Sequence, residues 1–158
     1  MLRLSRKMLF ALEAVVDIAF NARPEPVQSK EITKRQGIPQ RYLEQVMQQL
    51  VHAGILKGVR GPKGGYRLAR ERRRISVGEI VRVVGALEGG EDADNLLDVV
   101  LAEGGQSELG QKVVHPLWRE LRDEMMARLD TVTIEDLCRR ATAIGLMSEG
   151  RERMDFTI

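Results

Sequence analysis

Val59–Arg70 reads VRGPKGGYRLAR and follows directly on a helix-turn-helix pattern. Two short apolar-flanked runs, Ile55–Val59 and Tyr66–Ala69, enclose a basic, glycine-rich tip. A strand pair with such a tip is a wing, and the natural target of a wing is the sugar-phosphate edge of duplex DNA. Gly61, Gly64 and Gly65 are expected to allow positive φ and close backbone approach. Pro62 stiffens the turn. Arg60, Lys63, Arg67 and Arg70 supply charge that can neutralise phosphates.

Upstream of the wing, Ser29 is expected to cap a short helix, SKEITKRQ, that stops at Gly37. Ile38 and Pro39 open the next helix, with Pro39 as its first residue. It runs to about His52, and Ala53–Gly54 ends it. Helical spacing gives it an inner face of Leu43, Val46, Met47 and Leu50, and an outer face of Gln40, Arg41, Glu44, Gln45 and Gln48. Two helices joined by a tight glycine turn make a helix-turn-helix, whose second helix enters the major groove. Gln and Arg there can pair with adenine and guanine, and Glu can accept from cytosine. A plain three-helix bundle is the blander alternative for the helices taken alone.

The N-terminal stretch MLRLSRKMLFALEAVVDIAF has the outline of a signal peptide, but Glu13 and Asp17 interrupt it at helical spacing. It reads instead as an amphipathic helix from the Ser5 cap to about Ala22, with Met8, Leu9, Leu12, Val15, Val16 and Ala19 facing the core. Pro24 and Pro26 end it. The 158-residue chain suits one domain or one and a half, and its 43% hydrophobic residues suffice for a core. No apolar run reaches eighteen residues, so no membrane span is expected. A single cysteine forms no internal disulfide and fits a reducing, cytoplasmic setting. Net charge is +2, yet residues 1–74 hold 16 Lys and Arg against 6 Asp and Glu, while residues 75–158 hold 9 against 17. The two parts thus carry +10 and −8. A compact basic half is the electrostatic footprint of a nucleic-acid partner.

Beyond the basic run Arg70–Arg74, Ser76 and Glu79 form a capping box for a helix from Val77 to about Leu87, with Ile80, Val81, Val83 and Val84 apolar. Glu88–Gly110 shows no single period; Leu96–Leu101 is expected as a short helix and Gly104–Gly105 as a turn. From about Val113 a long stripe resumes: Val114, Leu117, Trp118, Leu121, Met125 and Leu129. A helix packing on its symmetry mate is the economical reading; packing within the same domain is the alternative. Thr133 and Asp136 cap a final helix, Ile134 to about Arg140. The expected fold is mainly α. Residues 1–74 form a winged helix-turn-helix domain with a two-stranded wing. Residues 75–140 provide a linker helix, an acidic loop and a long dimerisation helix, and residues 141–158 a flexible tail.

These segments resemble the IscR, NsrR and CymR group of bacterial winged-helix regulators. The resemblance rests on MLRLSRKMLFALEAVVDIAF, on ITKRQGIPQRYLEQVMQQLVHAGIL with its YLEQ at Tyr42–Gln45, and on the wing; ISVGEIVRVV, HPLWREL and TVTIEDL match the later helices. It covers roughly residues 1 to 140. It implies a homodimer that binds an imperfect palindrome in double-stranded operator DNA and usually represses transcription, with the first and long helices crossing between subunits. The candidate DNA-contacting set is Arg3, Ser5, Lys7, Gln28, Ser29, Lys30, Pro39, Gln40, Arg41, Tyr42, Glu44, Gln45, Arg60, Gly61, Pro62, Lys63, Gly64, Gly65 and Tyr66. Gln40 and Arg41 depart from the small polar residues of some relatives.

Cluster-binding members carry three cysteines ahead of the HPLW-like segment, whereas Gly89–Val114 contains none. His115 falls where the family's histidine ligand would, but one imidazole cannot hold an iron–sulfur cluster. No cofactor and no metal site is therefore expected, and signal input falls to a protein partner, as in the cysteine-metabolism branch, or to a small-molecule effector. The alternative is a redox or metal sensor with an unusual ligand set or the lone thiol, Cys138. Catalysis is not expected. His52 and His115 lack a nucleophile or metal partner at useful spacing, and the glycine-rich tip lacks a phosphate-loop ending.

Overall fold

Helix α1 (Arg6–Phe20) begins where the Ser5 hydroxyl accepts the Met8 N–H at 3.2 Å, as its capping chemistry dictates. It ends at Asn21, whose backbone N–H bonds the Asp17 carbonyl at 2.9 Å, before Pro24 and Pro26. The computed structural model describes residues 5–85 and 107–150. Arg3, the acidic stretch with the expected Leu96–Leu101 helix and Gly104–Gly105 turn, and residues 151–158 lie outside them.

The core-facing side of α1 is the expected one except at Leu9. Ala11, Ala14, Val15, Ile18 and Ala19 are buried, Met8, Leu12 and Val16 half-buried, and Leu9 exposed. Ala11, Ala14 and Ala19 on this side permit a close helix approach. Asp17 lies on this packed side with its side chain fully buried.

Helix α2 (Ser29–Gln36) starts one residue earlier than the Ser29 cap implied. Gln28 is its cap, and its backbone N–H donates to the Glu31 carboxylate at 2.8 Å. Gly37 ends it in the left-handed region, φ 67°, a backbone state cheap only for glycine. Helix α3 (Gln40–His52) follows, with Pro39 as its cap rather than its first residue. Leu43, Val46, Met47 and Leu50 are all buried, and Gln40, Arg41, Glu44, Gln45 and Gln48 are exposed. Four such buried side chains contribute about 1.5–3 kcal/mol each.

Arg35 of α2 closes on Asp17 of α1 with a two-pronged contact, Nε to Oδ2 at 2.9 Å and Nη2 to Oδ1 at 2.7 Å. Gln36 Nε2 adds a bond to Oδ2 at 2.8 Å. The outer guanidinium nitrogen of Arg35 reaches Glu149 at 2.8 Å, and Arg23 joins Glu149 (3.1 Å) to Glu31 (2.7 Å). The Glu149 N–H also donates to buried Asn21 Oδ1 at 3.1 Å. Glu149, in the expected flexible tail, is thus tied to the N-terminal helices, while residues 142–147 are exposed; the expectation for 151–158 falls outside the described residues.

Strands β1 (Leu56–Val59) and β2 (Gly65–Leu68) pair antiparallel, Leu56 opposite Leu68 and Val59 opposite Gly65. Val27 adds a bridge on the other side of β2, its N–H and C=O bonding Tyr66 at 3.0 and 2.8 Å. Arg72–Arg74 make a tight helical turn into α4 (Val77–Gly85), where the Ser76 hydroxyl accepts the Glu79 N–H at 3.1 Å. A wider helical turn, Gly110–Val114, runs straight into α5 (His115–Asp130). Helix α6 (Ile134–Ala143) carries the expected capping box, Thr133 with Asp136, and extends three residues beyond Arg140. The α5–α6 connection docks beside the start of α4 through Val77 N–H to Val132 O and Ile134 N–H to Ile75 O. Arg82 clamps Asp130 at 2.6 and 2.7 Å.

Two outcomes follow for stability. Arg35→Ala leaves a buried Asp17 carboxylate without its counter-charge and costs about 3–5 kcal/mol, measurable as a lowered urea midpoint at unchanged slope. Burial works against the Glu31 carboxylate, but its bonds with Arg23 and the Gln28 N–H prevail and hold its pKa below the ordinary 4.5. A carboxylate depressed by folding stabilises above its unfolded pKa, and that contribution disappears as pH falls through the folded value. Glu31→Gln therefore lowers stability at neutral pH and flattens its loss on acidification below pH 4.5, read by denaturant titrations across pH.

Candidate nucleic-acid interface

The start of α2 and the wing lie side by side. The wing is held near the start of α2 because Val27, just ahead of that helix, is also the partner of Tyr66 in β2. A Cβ on Gly65 would lie 2.7 Å from the Val27 carbonyl carbon. One on Gly64 would lie 2.8 Å from the Gly61 oxygen, whose turn closes through the Gly64 N–H at 2.9 Å. The expectation of positive φ holds only at Gly61, φ 113°. Gly64 and Gly65 serve close approach instead, since the backbone they face leaves no room for a side chain.

An open concavity of about 760 Å³ results. Gln28, Ser29 and Lys30 line one side, and Arg60, Gly61, Pro62, Gly64, Gly65 and Tyr66 the other. Val51, Gly58 and Val59 complete it; the sequence reading did not single out Val51 or Gly58 for this role. The N-terminal backbone of α2 carries partial positive charge, which favours an anion at this edge. Arg60 and Lys63 are exposed at the wing tip.

Two other wing cations are differently placed. Arg67 donates to the Pro24 carbonyl, and Arg70 pairs with Glu79. Both were expected as phosphate neutralisers; Arg70 has a carboxylate counter-charge within the chain, whereas Arg67, bonded to a neutral carbonyl, keeps its charge. Ser5 caps α1, and Lys7 is half-buried. On α3, Arg41, Glu44 and Gln45 are exposed beside Gln40. Tyr42 is 44% exposed, its ring leaning on Phe10 at 6.2 Å between centroids. That contact ties the first turn of α3 to α1.

Away from this face, Val114, Leu117, Trp118 and Leu121 of the long-helix stripe are exposed, Met125 and Leu129 half-buried, and α5 buries no residue. Cys138 is 3% exposed, and burial pushes its thiol above the usual range despite Arg72 nearby. His115 starts α5 at the end of the preceding turn.

A two-stranded wing follows a helix with an exposed polar face, an architecture that known winged-helix regulators share. Residues 4–140 match the model of Rrf2, described as an iron-dependent transcriptional regulator. The chain belongs to the Rrf2 family. It is 36% identical over 138 residues to the HTH-type transcriptional regulator IscR of Escherichia coli K12, a match spanning 86% of this chain and 80% of that protein; the Cronobacter sakazakii IscR gives the same values. Among solved structures, T. potens IscR superposes with TM-score 0.71 at 32% identity over 96% of both chains. CymR, the global cysteine regulator of B. subtilis, gives 0.68 at 28% identity over 89% of this chain and 98% of that one. This Rrf2 chain is therefore a DNA-binding transcriptional regulator with a winged helix, and not an enzyme.

The word iron in the family's description calls for a test of the donor set. An iron–sulfur cluster takes thiolates for most of its ligands. The chain has one cysteine, and that thiol is buried in α6 and biased toward its protonated form. Among the described residues, no three of His, Cys, Asp and Glu gather in a metal-binding group. The residues do not fit a cluster. No helix among the described residues is long and apolar enough to cross a membrane.

Arg60→Ala is expected to weaken duplex binding about equally for all sequences and to lower the slope of log affinity against log salt by about 1, as titrations at several salt concentrations would register.

Proposed function

We propose that this chain is a homodimeric repressor that reads a palindromic operator without an iron–sulfur cluster. Residues 1–74 bind DNA, and residues 75–140 pair the subunits. The observation that supports the reading is the meeting of the α2 start and the wing around one concavity, with the polar face of α3 left exposed. In this reading Arg41, Glu44 and Gln45 meet base edges, Tyr42 and the α2 start meet the backbone, and Arg60–Tyr66 follow the flanking groove.

Dimerisation is supported by α5. A helix of 16 residues with Leu117, Trp118 and Leu121 all more than a third exposed needs an apolar cover. A second copy supplies one and places two recognition helices about 34 Å apart, one turn of duplex. Exposed Leu9 on α1 fits the same crossing arrangement.

Repression and a place in cysteine or sulfur metabolism are taken from the family resemblance and from the likeness to B. subtilis CymR. Without a cluster, the signal reaches the dimer through a protein or small-molecule effector. A thiol-based sensor is disfavoured, because Cys138 is both buried and held in its less reactive form.

Selection of duplexes from a random library by the full chain tests the proposal: a two-fold symmetric pattern is expected, with affinity falling steeply as salt rises. Leu117→Glu with Leu121→Glu should give a monomer by light scattering whose affinity for that duplex drops at least tenfold. A wild type that binds random and selected duplexes alike would remove the operator-reading claim.

A further inference from the structure

The first turn of α3 carries a hydrogen-bond relay that begins outside it. Thr33 of α2 donates its hydroxyl to Gln40 Oε1 at 3.2 Å. Gln40 Nε2 in turn donates to Glu44 Oε1 at 3.0 Å. Gly37, in its left-handed turn, brings α2 and α3 close enough for Thr33 to reach the first residue of α3.

The polarity of this relay is determined by chemistry. A threonine hydroxyl can donate to an amide oxygen, and a carboxylate can only accept. The Gln40 amide therefore turns its oxygen to Thr33 and its NH₂ to Glu44. The reverse orientation would point the amide oxygen at a carboxylate and repel it. One proton and one lone pair of the amide are thereby spent within the protein. A glutamine that reads adenine directly needs both its oxygen and its NH₂ turned together to the base edge.

We propose that Gln40 is a positioning residue for base recognition: anchored by Thr33, it holds the Glu44 carboxylate for acceptance from a cytosine amino group and does not itself read a base. This deepens the operator-binding reading and rests on it. Glu44 Oε2 stays available to the groove while Oε1 is held by Gln40. A restrained carboxylate loses less side-chain freedom on meeting its base, so the relay raises discrimination at that pair rather than general affinity.

The test uses the full chain and the duplex that the wild type selects. Relative affinities are measured for the four duplexes that differ only at the base pair whose preference Glu44→Ala changes. Gln40→Ala should reduce wild-type discrimination at that pair about two- to tenfold, the range of one net hydrogen bond. Thr33→Val should act at the same pair, in the same direction and less strongly. Gln40→Ala added to Glu44→Ala should change nothing further there. Helix content and thermal midpoint, followed by circular dichroism, separate these effects from misfolding.

An effect of Gln40→Ala at a different base pair would overturn the proposal and make Gln40 a direct reader. So would an even loss of affinity over all four duplexes, or additivity with Glu44→Ala. If the wild type selects no sequence, or Glu44→Ala alters no base pair, the operator reading fails and the relay with it. If those two behave as expected and Gln40→Ala does nothing, the relay alone is wrong.

Discussion

The buried pairing of Asp17 with Arg35 is the constraint on which the seating of α2 against α1 depends. A carboxylate with no solvent exposure must have a counter-charge and filled hydrogen-bond sites, or folding stops being favourable. Arg35 answers with two bonds and Gln36 with a third. Such a pair adds little net stability over a well-packed apolar one, because desolvating both ions cancels most of their attraction. What it supplies is position. The pair joins α1 to α2, and α2 leads directly into the Gly37 turn and the first turn of α3.

From that placement the rest follows in order. Val27, two residues ahead of α2, meets Tyr66 and holds the wing to the helical part. The wing closes against it only because Gly64 and Gly65 present no side chain. Glu149 joins the same ionic group from more than a hundred residues away, with Arg23 and Arg35 on either side. The last described part of the chain therefore packs on the first helices. In an Rrf2-family regulator the order of these contacts matters, because a shift of α2 moves both the groove edge and the anchor of the α3 first turn.

Much of this was legible in the residues. Buried and exposed faces of α3 matched their helical spacing at every position named, because the helix is long enough for its period to be unambiguous. Caps at Ser5, Ser76 and Thr133 were readable because capping chemistry is local, within three residues. Errors arose where local chemistry had two solutions. Ser29 is a good cap, but Gln28 with Glu31 won one residue earlier. Asp17 sits at a spacing that suits a polar face, and nothing within α1 tells that Arg35 will bury it. Arg70 looks like a free cation until the fold brings Glu79 beside it.

The sequence by itself determined the element types, the winged helix-turn-helix, the lopsided charge and the lack of thiolates for a cluster. Each of these is a property of residue type or of spacings shorter than a helical turn or a hairpin. Tertiary structure alone decided the Asp17–Arg35 pair, the Val27 bridge to β2, the Glu149 attachment and the Thr33–Gln40–Glu44 relay. Apart from the Gln40–Glu44 bond within α3, these join residues on different elements, and a hydrogen bond between them depends on angles and distances that no local period encodes. Side chains of ordinary type acquired their roles only when packing chose their neighbours.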